Sequence, residues 1–87
     1  MGAKVLVSSE KQINESYMRY YMLRINKGMS DKEVADAAGV ALSALVNWRT
    51  GKAMPSVKTL FKLAQYLDTQ VSYLVEGRYI DPAGIAT

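Results

Sequence analysis

The 87-residue sequence predicts an all-α, compact domain built from five helices. Apolar side chains recur three and four positions apart in successive stretches of the chain, which is the spacing of a helix with one buried face. Glycines follow several of these stretches and serines precede others, as is typical of helix ends and helix starts. A chain of this length supports a single core, so we expect one domain.

The N-terminal part of the chain divides into two segments. Residues 1–9 carry small and β-branched side chains without a helical period, and we expect a flexible arm or a short extended piece there. From about Glu10 the apolar residues follow helical spacing up to Lys27 and Gly28, a cation and a glycine that end a first helix. Its tyrosines are expected to pack in the core with their hydroxyls in water, with a nucleic-acid stacking platform as the alternative: Tyr17, Tyr20 and Tyr21.

The stretch from Ser30 to Thr50 predicts two short helices joined by a tight turn. Ser30 and Glu33 have the spacing of a capping box, in which each side chain binds a free backbone N–H at the helix start. Gly39 ends the first of the two helices, because glycine takes a positive φ without steric cost. The second helix runs from about Leu42 to Thr50, with Leu45 and Trp48 on the face that we expect to be buried.

Two further helices and a tail complete the prediction. Ser56 predicts the N-cap of a helix from about Val57 to Leu67, and a last short helix ends at Gly77. We therefore place the domain at residues 10–77 and a C-terminal tail at residues 78–87. The tail can extend along the domain, contribute to a dimer interface or begin a linker, and the sequence leaves these alternatives open.

The composition excludes several classes of chemistry. The chain has neither cysteine nor histidine, so it lacks thiolate ligands, the commonest zinc ligand and the commonest general base. We therefore expect no enzymatic activity, no metal site and no cofactor. No apolar run is long enough for a membrane span or a secretory signal, so we expect a cytoplasmic protein without membrane contact. A net charge of +3 and a pI near 9.3 permit nucleic-acid binding without requiring it.

An ordered set of residues runs through the two short helices and beyond them on both sides. It consists of Ala35, Gly39, Val40, Leu45, Trp48, Gly51 and Pro55, with Leu23, Arg24, Met29 and Ser30 before and Leu60, Leu63, Ala64, Leu67 and Leu74 after. This set resembles the helix-turn-helix of the Cro and phage-repressor (XRE-like) family, from roughly Tyr17 to Gly77. The resemblance implies a lambda-repressor-like domain whose second motif helix enters the major groove of double-stranded DNA.

The resemblance also implies which side chains contact bases, and here they are Leu42, Ser43, Val46 and Asn47. Asn47 is the strongest candidate, because its amide can pair with both N6 and N7 of adenine. Leu42 and Val46 depart from the family, which usually has a polar residue at one or both positions. Aliphatic side chains there can contact thymine methyl groups, and the alternative is a protein-binding surface.

Residues near the helix ends are the candidates for phosphate contacts: Ser30, Lys32, Arg49, Lys52 and Ser56. Arg49 departs from the family, in which an acidic residue commonly pairs with the arginine that matches Arg24. Two unpaired guanidinium groups buried together would be costly, so at least one of them must point to water, an acid or a phosphate. Of these we expect Arg49 to turn toward the DNA backbone. Asp31 is another departure, since a carboxylate at this helix start is expected to repel phosphate.

The functional prediction is a sequence-specific transcriptional regulator, a repressor of phage or mobile-element type. We expect a homodimer on a two-fold operator, because one recognition helix reads little sequence and a dimer doubles its contacts, at half-sites about 34 Å apart. The alternative is an antitoxin or other protein-interaction module with the same fold, whose main partner is a protein.

Overall fold

The computed structural model describes the backbone of residues 2–80 and the side chains of residues 10–80. This part of the chain forms helices only, which confirms the predicted all-α class with five helices. Helix α1 packs against α3 and α5, α2 packs against α3 and α4, and α4 packs against α5. The helices are α1 (Gly2–Asn26), α2 (Asp31–Ala38), α3 (Leu42–Arg49), α4 (Val57–Tyr66) and α5 (Val71–Glu76).

Helix α1 is longer than predicted. We expected residues 1–9 to be an arm or an extended piece, but the backbone is helical from Gly2 onward. The β-branched residues in this segment, which favoured a non-helical prediction, each lower the stability of a helix by only about 0.5 kcal/mol. Extending a helix that is already nucleated costs far less than starting a new one. The helix that is packed after Glu10 can therefore propagate toward the N-terminus.

The predicted helix caps are present. The Ser30 hydroxyl accepts a hydrogen bond from the Glu33 backbone N–H at 3.2 Å, and the Glu33 carboxylate accepts one from the Ser30 N–H at 2.8 Å. Gly39 has φ 74° and its N–H bonds to the carbonyl of Ala35, so the chain leaves α2 in the left-handed conformation. The Ser56 hydroxyl accepts a hydrogen bond from the backbone N–H in the first turn of α4. These caps fix where α2 ends and where α4 begins.

Trp48 joins α3 to α1 at the centre of the core. Its side chain is fully buried, stacks on the ring of Tyr20 at 5.0 Å and meets the ring of Tyr17 edge-on at 5.7 Å. The indole N–H donates a hydrogen bond to the Ser16 hydroxyl at 2.7 Å, and that hydroxyl donates to the carbonyl of Ile13 at 2.8 Å. The other buried apolar residues around it are Val34, Ala35, Leu45, Leu60, Leu63, Ala64, Leu67 and Leu74.

The first residues of the tail extend along the domain. The ring of Tyr79 stacks on that of Tyr73, with 4.7 Å between centroids. The side-chain amide of Gln70 donates to the carbonyl of Ile80 at 2.9 Å and accepts from its N–H at 2.7 Å. These contacts follow the first of the three alternatives for the tail as far as Ile80, and residues 81–87 lie outside the described residues.

The buried hydrogen bond between Trp48 and Ser16 makes a prediction about stability. In Ser16→Ala the indole N–H loses its partner inside the core, which should lower the free energy of unfolding by about 1–3 kcal/mol. The matched control is Ser43→Ala on the exposed side of α3, which should change it by no more than about 0.5 kcal/mol. Urea denaturation followed by Trp48 fluorescence measures both. Equal losses in the two variants would show that the hydrogen bond does not stabilise the core.

Candidate nucleic-acid interface

The side chains predicted to contact bases lie together on one side of α3. Leu42, Ser43 and Asn47 are exposed and Val46 is partly buried beside them, while Leu45 and Trp48 are buried on the opposite side. Positions i, i+1, i+4 and i+5 of a helix fall within one half of its circumference, which is why the four share a face. The buried pair holds the helix against the core, so this outward face has a fixed orientation.

Asn47 lies where α3 meets the turn that follows it. Its side chain is exposed, and its backbone carbonyl accepts hydrogen bonds from the N–H groups of Lys52 at 2.9 Å and Ala53 at 3.3 Å. The turn therefore closes back on the helix end and fixes the backbone that carries both Asn47 and Lys52. Lys52 itself is exposed, close in sequence and space to the outward face of α3.

The other predicted phosphate contacts are distributed around the helix ends. The hydroxyls of Ser30 and Ser56 cap α2 and α4, and that of Ser56 also donates to the Thr59 hydroxyl at 3.1 Å. Lys32 lies 3.3 Å from the carboxylate of Asp36, one turn along α2, and both side chains are largely exposed. A surface ion pair of this kind contributes roughly 0–1 kcal/mol, so Lys32 can exchange it for another anion at little cost.

The Asp31 carboxylate is buried, contrary to the prediction that it would face phosphate and repel it. The residue is 8 % exposed and its side chain points inward from the first position of α2. One oxygen accepts a hydrogen bond from the Tyr20 hydroxyl at 2.7 Å and lies 3.0 Å from Nε of Arg24. The other accepts from the Tyr17 hydroxyl at 3.1 Å and lies 3.6 Å from Nη1 of Arg49.

This arrangement corrects one further prediction and adds a contact to Arg49. The hydroxyls of Tyr17 and Tyr20 were expected in water but bind the Asp31 carboxylate, although both rings pack in the core as predicted. The guanidinium of Arg49, which we expected to turn toward the DNA backbone, lies 3.6 Å from Asp31 with its side chain 53 % exposed, so its contact with phosphate stays a prediction. An acid at the start of α2 thus takes the place of the acid that the family commonly has on α3.

The signal that could have revealed Asp31 was the unassigned charge of Arg24. A guanidinium on the inner side of α1 requires a counterion, and Asp31 is the acid closest to it in the sequence. The side chain of Arg24 is only 12 % exposed, and its Nη1 donates to the carbonyl of Met29 at 2.8 Å. Its Nε–H does not point at a hydrogen-bond acceptor, so the 3.0 Å contact with Asp31 is an ion pair without an aligned hydrogen bond.

The pKa values of these groups follow from their burial and from one another. Burial raises the pKa of Tyr17 and of Tyr20, and the charge of Asp31 raises both further. For Arg24, burial alone would lower the pKa, but its hydrogen bond with Tyr17 and the charge of Asp31 raise it overall. The tyrosines therefore stay neutral donors and the arginine stays charged at neutral pH.

Comparison with known proteins shows the family of this chain. The chain matches the helix-turn-helix family over residues 21–74, more than half of its length. It is also similar to an SPbeta prophage-derived uncharacterized HTH-type transcriptional regulator, YonR, from Bacillus subtilis (strain 168). The two are 34 % identical over 56 residues, which cover 64 % of this chain and 52 % of the relative. The match thus spans about half the length of that relative. No solved structure matches the chain.

The chain therefore belongs to the helix-turn-helix family, as the ordered residues predicted. Helices α2 and α3 are the two helices of its motif. This family is generally non-enzymatic, in agreement with the prediction that the chain is not an enzyme. Within residues 2–80, no helix combines the length and the apolar character that crossing a membrane would need.

The raised pKa values of the two buried tyrosines predict a loss of stability at alkaline pH. Below about pH 10 these tyrosines are protonated in both the folded and the unfolded state and add no pH dependence. As the pH rises further, the unfolded chain releases protons that the folded state retains, so the free energy of unfolding falls by up to about 1.4 kcal/mol per pH unit for each tyrosine. The free energy of unfolding begins to fall near the pKa of tyrosine in the unfolded chain, and it continues to fall toward the raised pKa values of the folded state.

Tyr20→Phe tests this prediction, because it removes one of the two titrating groups. The variant should be less stable at neutral pH by about 1–3 kcal/mol, since Asp31 loses a donor. Between roughly pH 10 and 11 its free energy of unfolding should fall less steeply with pH than that of the wild type. Urea denaturation at a series of pH values measures both effects. Parallel curves for the two proteins would contradict the link between the Asp31 cluster and alkaline stability.

Proposed function

We propose that this chain is a transcriptional repressor of phage or mobile-element type that binds a two-fold operator in double-stranded DNA as a homodimer. The observation that carries the proposal is the outward face of α3, which presents an amide, a hydroxyl and two aliphatic side chains on a helix held rigidly by Trp48. The similarity to a regulator named as prophage-derived supports the type of system. We propose that the protein and the DNA that it binds are both in the cytoplasm.

In this proposal α3 lies in the major groove, and each of its outward side chains contacts a different group on the bases. Asn47 pairs with an adenine through its amide, which can donate to N7 and accept from N6 in one plane. Ser43 donates or accepts and discriminates less. Leu42 and Val46 contact thymine methyl groups, the only apolar group on a base edge in that groove.

Contacts to phosphates set the register of the helix on the duplex. Lys52 follows α3 in a turn that is bonded back to the helix end, so its ammonium group reaches the backbone beside the groove. Ser30 and Lys32 at the start of α2, and Ser56 at the start of α4, approach phosphate with helix N-termini, where free N–H groups favour an anion. Arg49 is the fifth phosphate contact.

A homodimer follows from the amount of sequence that one helix can read. Four side chains on one short helix contact only a few base pairs, which is too little for an operator to be distinguished from other DNA. Two copies related by a two-fold axis place two such helices in successive major grooves, about 34 Å apart. With roughly four to six phosphates neutralised per dimer, affinity should fall about 10²- to 10³-fold between 50 and 200 mM salt.

Two substitutions separate base reading from backbone binding. Asn47→Ala should weaken binding to the operator by about 1–3 kcal/mol per half-site and change binding to random duplex DNA little, because it removes a base contact. Lys52→Ala should weaken both alike, because it removes a phosphate contact. It should also lower the slope of log affinity against log salt by about 0.9 for each phosphate that Lys52 neutralises.

The matched control is Lys11→Ala, which removes the same charge from an exposed position on the side of α1 opposite the core. It should leave the affinity for both duplexes within about twofold of the wild type. Fluorescence anisotropy at several salt concentrations measures all three variants. If Asn47→Ala weakens both duplexes equally, Asn47 does not read a base. A wild-type affinity that does not change with salt would contradict DNA binding through phosphates.

A further inference from the structure

We propose that Asp31 is a positioning residue for DNA binding, whose buried carboxylate holds the Arg49 guanidinium at the end of α3 where it meets a phosphate. This inference rests on the proposed function and deepens it, because it assigns a role to a residue that does not touch DNA. It reverses the role expected from the sequence, in which Asp31 repels phosphate.

The contacts around Asp31 differ in length and exposure. Both tyrosine hydroxyls and Arg24 lie within 3.1 Å of the carboxylate, whereas Arg49 lies 3.6 Å away. The side chain of Arg49 is 53 % exposed, compared with 12 % for that of Arg24. Arg24 is thus the internal partner of the carboxylate, and Arg49 is a second cation held at the surface by the same charge.

The balance of charge in this cluster leaves Arg49 free to bind another anion. One carboxylate faces two guanidinium groups, so the group carries a net positive charge. Arg24 and the two tyrosine hydroxyls also bind the Asp31 carboxylate, so the carboxylate does not depend on Arg49 alone for partners. A guanidinium has five N–H donors, and one Nη directed at Asp31 leaves others for a phosphate oxygen.

Holding the arginine in place also lowers the entropic cost of binding. A free arginine on the surface samples many rotamers, and fixing them on a phosphate opposes binding. The ion pair with Asp31 restricts those rotamers before DNA arrives. Because Asp31 belongs to α2 and Arg49 to α3, the same contact ties the phosphate-binding group to both helices of the motif.

The two possible roles of Asp31 predict effects of opposite sign. If its charge repels phosphate, Asp31→Asn removes a negative charge beside the duplex and raises DNA affinity. If it positions Arg49, the same substitution releases the guanidinium and lowers affinity, by roughly three- to tenfold per half-site. The second effect needs Arg49, so it should disappear in an Arg49→Ala background.

The experiment measures the affinity of four proteins for one operator duplex over a range of salt: wild type, Asp31→Asn, Arg49→Ala and the double variant. Arg49→Ala should lower the salt slope by about 0.9 for each phosphate that Arg49 neutralises. Asp31→Asn should lower affinity in the presence of Arg49 and cause no further loss in its absence. An increase in affinity, or equal losses in the two backgrounds, would overturn the positioning role.

Tyr17→Phe separates positioning from folding. It removes a donor from the same carboxylate oxygen that faces Arg49 and keeps both charges, so it perturbs the cluster without removing the anion that holds the arginine. Affinities are measured at a temperature at which circular dichroism shows every variant folded. Tyr17→Phe should bind within about twofold of the wild type. A loss as large as that of Asp31→Asn would mean that any damage to the cluster weakens binding, which overturns the positioning role.

The same data distinguish the failure of this inference from that of the proposed function. Losses that are additive in the double variant, with a steep salt dependence for the wild type, overturn the role of Asp31 and leave DNA binding intact. A wild type that shows no salt-dependent affinity for duplex DNA overturns both.

Discussion

The buried carboxylate of Asp31 is the constraint on which the arrangement of the first three helices depends. It lies at the start of α2 and binds Tyr17, Tyr20 and Arg24 from α1 and Arg49 from α3. Breaking a buried ion pair by removing one partner costs about 3–5 kcal/mol, because the remaining charge has no water around it. The helices α1, α2 and α3 therefore have to lie where their side chains can pair with this one carboxylate.

The carboxylate and Trp48 fix α3 in complementary ways. Trp48 provides apolar contact and a hydrogen bond to Ser16 in the centre of the core, and the Arg49 contact with Asp31 fixes the end of the helix at the surface. A recognition helix must be rigid if its side chains are to meet base edges at defined positions, since loss of alignment by a fraction of an ångström weakens hydrogen bonds. The outward face of α3 is thus positioned by residues that do not belong to it.

Local signals allowed much of the fold to be predicted. The capping pair Ser30 and Glu33 and the glycine at position 39 act within a few residues, so their spacing alone locates α2. The direction of the Asp31 side chain is different, because an acid at a helix start can face water or a buried partner with the same sequence around it. Its partners come from α1 and α3, and only the packed structure brings them together. The four proposed base contacts share a face as predicted, and their roles on DNA stay predictions.

We propose above that the outward face of α3 reads DNA as one half of a two-fold complex. Selection of the wild-type chain against random duplex DNA tests it most directly. We expect enrichment of one sequence repeated about a two-fold axis, with half-site centres separated by about 34 Å, one helical turn. Enrichment of no duplex would contradict DNA binding by this face and favour a protein partner there, and enrichment of a single unrepeated site would contradict the homodimer.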